Sequence, residues 1–220
     1  MSERILQIRV WDAPTRLFHW AIVGLVSLSW LSESRGWMEL HFLSGYSIIT
    51  LLLFRVAWGF LGSETARFAH FLKSPAAALR HLARLRRPEP DTTVGHNAAG
   101  GWMVVVMLAL LALQAATGLC ANDDGDTEGP LFKYVGKARS DWLSHIHAVN
   151  FKLIQLAVVA HVGAIIAYAV LKRHDLVRPM ITGRKPLPDG LTPPLQVSPV
   201  RAILLFAIAL GAVGLFVSSL

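Results

Sequence analysis

The chain has 220 residues, 54% hydrophobic and 16% charged, where a soluble domain carries roughly 25% charged residues. That balance excludes a disordered chain and argues against a water-soluble globule. A single cysteine, Cys120, excludes an intramolecular disulfide framework, a CxxC metal knuckle and a four-cysteine iron–sulfur cluster, and the lack of CxxCH excludes thioether-attached haem.

Five stretches are long enough and poor enough in charge to cross a bilayer, which takes about 20 helical residues. They run over about 14–31, 41–61, 98–119, 145–171 and 202–220. Asp12 ahead of Pro14 reads as an N-cap followed by a first helical turn, so the first span starts before its apolar part. The opening residues alternate polar and apolar, and no small-residue cleavage site follows the first apolar run. That span is therefore expected to stay in the mature protein.

The net charge of +7 sorts along the chain. Residues 1–18 carry net +1, with Arg4, Arg9 and Arg16 against Glu3 and Asp12. Segment 55–95 carries net +4, with Arg55, Arg67, Lys73, Arg80, Arg84, Arg86 and Arg87 against Glu64, Glu89 and Asp91. Segment 172–201 again carries net +4. The connection between the first two spans is net −1, and that between the third and fourth is net −2, where Asp123, Asp124, Asp126, Glu128 and Asp141 face Lys133, Lys137 and Arg139. The positive-inside rule then puts the N-terminus and the basic segments in the cytoplasm and the C-terminus in the periplasm of a bacterial inner membrane. The basic charge reads as topology and lipid contact, with no nucleic-acid role.

Two connections are unusual. Residues 68–87 have helical periodicity and a basic face, suited to lying along the membrane surface. Residues 181–200 hold five prolines and two glycines and read as a semi-stiff cytoplasmic linker ahead of an additional helix over 201–220. No repeat and no strand-rich segment is apparent.

Ionisable residues inside spans are functional candidates, because hydrocarbon makes them costly. Four of the nine histidines lie in spans in a pattern: His19, His41, His147 and His161. Each taken singly could be an interhelical hydrogen-bonding group. The spacing adds more. His147 and His161 are fourteen residues apart, four turns less about 40°, so both rings leave one helix face about 21 Å apart along the axis. One metal ion cannot touch both, but two separate large cofactors can. The topology pairs His19 with His161 towards the cytoplasm and His41 with His147 towards the periplasm. Two neutral imidazoles on facing helices are the axial set of a non-covalent b-type haem, and filling both axial positions leaves one-electron transfer.

His41 and Arg55 are also fourteen residues apart. Arg55 could hold a haem propionate or mark the helix end by snorkelling; Arg16 and Lys152 carry the same two readings. Gly45, four residues after His41, removes a side chain where a flat macrocycle would approach, and Gly24, after His19, could do the same. His96, opening the third span, could bond a propionate, bind quinone or start its helix. His145 is the rival of His147. His70, His81 and His174 fall in basic segments and read as solvated.

Taken together, Arg16-Leu17-Phe18-His19-Trp20, then His41-x3-Gly45-x9-Arg55, then His147-x13-His161 resemble the bacterial cytochrome b561 family, in one superfamily with the b-type cytochrome subunits of nickel–iron hydrogenases. The resemblance covers about residues 5–180. It implies an all-α membrane bundle over 1–180, a four-helix core with two b haems on the same two histidine pairs, exchange with quinone, and a redox partner such as a periplasmic c-type cytochrome or a dehydrogenase or hydrogenase subunit. The helix over 201–220 departs from that core. A stand-alone superoxide:quinone oxidoreductase would need a positive funnel over the outer haem, against which the acidic stretch 123–128 speaks. A transporter with histidine relays would need polar clusters at the midplane and interrupted helices, whereas 22–28 and 153–159 are dominated by apolar residues. Reporter fusions test the topology: those after residue 90 are expected to report cytoplasm and those near residue 126 periplasm, and the reverse result would invert the orientation.

Overall fold

The computed structural model describes residues 5–85, 87, 91–125 and 127–220. Glu3, Arg4, Arg86, Glu89 and Asp126, counted above among the segment charges, lie outside the described residues. The chain is mostly helical, the all-α class expected, with one small two-stranded sheet. In order come β1 (Ile5–Arg9), α1 (Ala13–Ser34), α2 (Met38–Leu61), a 3-10 turn (Glu64–Ala66), α3 (Phe68–Phe71), α4 (Pro75–Ala83), α5 (Ala98–Gly118), α6 (Phe132–Val135), α7 (Lys137–Ala167) running on into a π turn (Tyr168–Lys172), α8 (Val177–Thr182), β2 (Arg184–Pro188) and α9 (Pro199–Ser218).

Local chemistry sets these boundaries. Asp12 is the N-cap of α1, its Oδ1 accepting from Thr15 N at 2.8 Å. The helix ends in a Schellman turn: Gly36 sits at φ +70°, its N–H bonds the Glu33 carbonyl at 2.9 Å, and Trp37 N bonds the Ser32 carbonyl at 2.8 Å. α7 begins eight residues before the apolar part of its span. There Ser140 and Ser144 bond Asn122 (2.6 and 2.8 Å), giving the polar first turns side-chain and backbone partners. Segment 68–87 is broken by Ser74-Pro75, where Ser74 Oγ caps Ala77 N at 3.3 Å and Pro75 opens α4.

Four helices among the described residues are long and apolar enough to cross a membrane: Met38–Leu61, Ala98–Gly118, Lys137–Lys172 and Pro199–Ser218. α1 has the length, 22 residues, but Arg16, His19, Glu33 and four serines keep it out of that set. The helices present large exposed apolar side chains, such as Phe60, Leu156, Val159, Ile203 and Leu215, as lipid-facing surfaces do.

The chain forms two compact units: Met1–His19, Arg55–Val105 and Val159–Leu204 in the first, and Trp20–Phe54, Val106–Val158 and Leu205–Leu220 in the second. In the first, β1 pairs antiparallel with β2, Leu6 opposite Leu187 and Ile8 opposite Lys185. Ile8, Val10, Trp11 and Leu187 make its core. β2 alternates, with Lys185 and Leu187 inward and Pro186 outward; prolines are tolerated in such an edge strand because their missing N–H faces no neighbour. Residues 181–200 are thus tied down where the sequence reads as a linker. Lys185 Nζ meets Asp91 Oδ1 at 2.7 Å, Leu195 N bonds Glu64 Oε2 at 2.8 Å, and Val197 N bonds Ser63 Oγ at 3.0 Å. The inward alternation between the prolines is the feature that the linker reading overlooks.

In the second unit α1 and α2 meet at Ser29 and His41, α5 and α7 at Gln114 and Asn150, and Phe54 packs edge-on against Phe206 of α9 with centroids 6.0 Å apart.

Asp12 also accepts from the indole of Trp58, which is fully buried, at 3.0 Å. Asp12→Ala therefore removes both a helix cap and the carboxylate that accepts from a buried indole. The expected loss is about 2–4 kcal/mol, seen as a lower unfolding midpoint by circular dichroism in detergent, while Asp12→Asn retains most of the stability.

Candidate functional site

In the second unit α2 brings His41 to His147 of α7, their ring centroids 6.5 Å apart and their planes at 74°. His41 Nδ1 lies 2.9 Å from the Ser29 carbonyl, and His147 Nδ1 lies 3.0 Å from the Gln114 carbonyl. A carbonyl only accepts, so each Nδ1 carries a hydrogen, and in the neutral ring Nε2 keeps a lone pair. That is the tautomer of a metal-ligating histidine held from behind by a carbonyl. Thr117 Oγ1 adds a contact to His147 Nδ1 at 3.2 Å. Gln114 Oε1 accepts from Asn150 Nδ2 at 2.7 Å, and the same amide donates to the Leu110 carbonyl at 2.9 Å. Asn150, one turn beyond His147, is 2% exposed and locks α5 to α7 behind the ring. Gly118 is required here, since a Cβ would stand 2.8 Å from His147 Cε1.

In the first unit His19 of α1 meets His161 of α7, with centroids 6.4 Å apart and planes at 51°. Arg55 lies in the same unit. It is 2% exposed and therefore does not snorkel; it is flanked by the rings of Phe18 and Phe68 at 6.0 and 5.4 Å, and its Nη1 donates to the Ala66 carbonyl at 3.3 Å. His96 packs against Trp11 and Phe71, with centroids at 4.5 and 5.0 Å. Burial first, then the charge of Arg55 and the rings of His161 and His19, depress its pKa to about 3, so it is neutral. The helix-start hydrogen bond belongs to its neighbour instead: Asn97 Oδ1 accepts from Gly100 N at 2.8 Å. His96 Nδ1 is buried without a hydrogen-bond partner among the described residues.

The remaining candidates separate. Arg16 donates to the Ile181 carbonyl at the end of α8. Lys152 is exposed, about 140° around α7 from His147. His145 is exposed and is not the ring that meets His41. The backbone at Gly45 faces open space, whereas Gly24 lines an apolar groove with Ala21, Leu25, Ser47, Thr50, Leu51 and Phe206. His81 and His174, which read as solvated in the sequence, have partners: His81 Nε2 bonds the Tyr168 hydroxyl, and His174 Nδ1 is 3.7 Å from Asp91. His70 stands 3.4 Å from Glu64.

A metal fits between each pair of rings. Two metal–nitrogen bonds of about 2 Å and two ring radii add up to about 6 Å, matching centroids 6.4 and 6.5 Å apart. No cluster of three or more histidine, cysteine or acidic side chains able to hold a metal occurs among the described residues. A bare ion would lack ligands, while a metal carrying its own equatorial macrocycle needs only two, so the residues fit a haem. The residues that the sequence reading missed are Ser29, Gln114, Thr117, Gly118 and Asn150. Gln114 could have been found, being the one strongly polar side chain between Trp102 and Thr117.

The comparisons agree with this chemistry. The family model described as prokaryotic cytochrome b561 matches residues 10–183. A protein of Rhizobium leguminosarum bv. viciae named probable Ni/Fe-hydrogenase B-type cytochrome subunit is 24% identical over 216 residues, covering 83% of this chain and 90% of that one. Its namesake in Bradyrhizobium diazoefficiens is 22% identical, covering 83% of this chain and 87% of its own length. No solved structure matches. With four membrane-length helices and a match over most of its length, the chain belongs to the prokaryotic cytochrome b561 family and is a multi-pass membrane b-type cytochrome of electron transfer.

Proposed function

We propose that the chain is the dihaem subunit that moves electrons between the quinone pool and a redox partner in a bacterial inner membrane. Its N-terminus is cytoplasmic, its C-terminus periplasmic, and α1 joins the four membrane-length helices as a fifth span. His19 and His161 ligate one haem, and His41 and His147 the other, within the domain 1–180. The observation that carries this reading is the metal-sized gap between each pair of rings, with both Nδ1 atoms of the His41–His147 pair tied to carbonyls. Bound in this way, each haem supplies one-electron redox chemistry with no open iron position.

The protein's own groups set the conditions for that chemistry. The Ser29 and Gln114 carbonyls make His41 and His147 stronger donors and fix their ring orientation. Arg55 is a buried guanidinium in the His19–His161 unit and is the natural counter-charge for a propionate. Lys152, being exposed, can reach a propionate only at a cofactor edge; Gly45 leaves room for the ring.

The partner is of the hydrogenase-subunit kind, which is what the two relatives are named for. The outer acidic loop gives less support to a basic c-type cytochrome than its sequence suggests. Asp123 is taken up by the N–H groups of Gly125 and Thr127 (2.9 and 3.0 Å), and Lys137 pairs with both Asp124 and Asp141.

Haem extraction from the purified protein is expected to give two haems per chain. His161→Ala and His147→Ala are each expected to leave one, with the remaining low-spin spectrum differing between the two variants. One haem in the parent chain, or two bis-imidazole haems in either variant, would overturn the pairing.

A further inference from the structure

The helix that carries His161 ends in the π turn Tyr168–Lys172, closed by Arg173 in the left-handed region at φ 57°. π turns in helices are frequent at functional sites, and a non-glycine residue at positive φ is uncommon. Tyr168 lies seven residues beyond His161, about 10 Å along the axis. It opens onto a polar cavity of about 180 Å³, lined among others by His81, Asp91, Asn97, Lys172 and His174.

The hydrogen bonds here have a direction. Asn97 Oδ1 is committed to Gly100 N at 2.8 Å, which fixes the amide so that Nδ2 donates to the Tyr168 oxygen at 3.0 Å. The Tyr168 oxygen is therefore an acceptor towards Asn97, and with His81 in its Nδ1–H tautomer the Tyr168 hydrogen goes to His81 Nε2. The two rings stack, with centroids 6.1 Å apart and planes at 14°. In that tautomer His81, on the amphipathic helix α4, carries its proton on Nδ1. The titratable and charged groups around the pair are Lys172 in the π turn, His174 after it, and Asp91, which Lys185 of β2 meets at 2.7 Å; Arg80 of α4 and its C-cap Arg84 are the basic neighbours of His81 in sequence.

We propose that Tyr168 and His81 form the proton relay of a quinone-class hydrogen carrier that reacts at the His19–His161 site. This rests on the function proposed above and adds to it the groups that handle the protons. When a quinol is oxidised, each electron that it gives up is matched by one proton. The quinol O–H bond breaks and its proton goes to the Tyr168 oxygen, while the Tyr168 proton passes to His81 Nε2. His81 then releases the proton on Nδ1 to water, and proton exchange with water moves the remaining hydrogen from Nε2 back to Nδ1 before the next event. Two such events convert the quinol to the quinone with two electrons and two protons delivered. Quinone reduction is the same sequence reversed.

The test uses the haem-loaded protein and follows haem reduction by stopped flow. Reductants are a short-chain ubiquinol, a short-chain menaquinol and, as a proton-independent control, dithionite, each in light and heavy water across the pH range where imidazole titrates. Tyr168→Phe and His81→Gln are each expected to slow quinol-driven reduction about a hundredfold and to abolish its solvent isotope effect. Dithionite reduction and the haem spectra should stay as in the parent. Quinol-driven rates and isotope effects unchanged in the variants would overturn the relay and leave the electron-transfer function standing. Failure of both quinols to reduce the parent haem, with dithionite succeeding, would remove the quinone assignment itself and the relay with it. Should Tyr168→Phe lose its haem, His81→Gln decides, because His81 belongs to α4, which carries none of the proposed haem ligands.

Discussion

The structure depends on one constraint: an imidazole in an apolar helix must find a use for both of its nitrogens. A carbonyl that takes the Nδ1 hydrogen settles one of them and leaves a lone pair on the other. At His41 and His147 this happens on both sides of one helix interface, from Ser29 and from Gln114. Two rings so prepared gain nothing from each other, because neither has a proton left to donate. They gain from an electrophile shared between them, and their separation is that of two metal–nitrogen bonds. A pair of interhelical hydrogen-bonding histidines would need the opposite arrangement, one ring donating to the other.

The part of this that was legible in the sequence is the part governed by helical period. Fourteen residues return to nearly the same face, so His147 and His161 announce two positions on one rod, and the charge alternation of the loops says which other helices can face them. The structure brings together the four rings expected, and α2, α5 and α9 begin and end within three residues of the spans read from hydrophobicity. The choice of His147 over His145 follows from the same period, as His145 points away and is exposed.

What the sequence did not show were contacts made by backbone atoms or by short segments far apart in the chain. The Ser29 and Gln114 carbonyls have no side-chain signature. The pairing of residues 5–9 with 184–188 brings together two five-residue strands, one of them rich in proline, whose alternation is too short to stand out. The partners of Tyr168 come from α4 and from the start of α5, 87 and 71 residues away. Composition gave the right class for those regions, basic and polar, but composition carries no information on which histidine is solvated and which is engaged.

The two ring pairs differ in what stands behind them, and the difference follows from a division of labour. Behind His41 and His147 are carbonyls, a threonine and a buried asparagine, all neutral and none able to take up a proton near neutral pH. In the unit of His19 and His161 are a buried guanidinium, a histidine kept neutral by its surroundings, and a helix end where a phenol is poised between an amide donor and an imidazole acceptor. An electron moved without a proton is best served by the first environment, because fixed neutral dipoles need no rearrangement when the charge changes. Chemistry that couples the electron to a proton needs the second, where groups able to exchange protons lie within hydrogen-bond reach of one another. Under the function and relay proposed above, the hydrogen carrier belongs with His19 and His161, and the His41–His147 pair serves the partner that exchanges electrons alone.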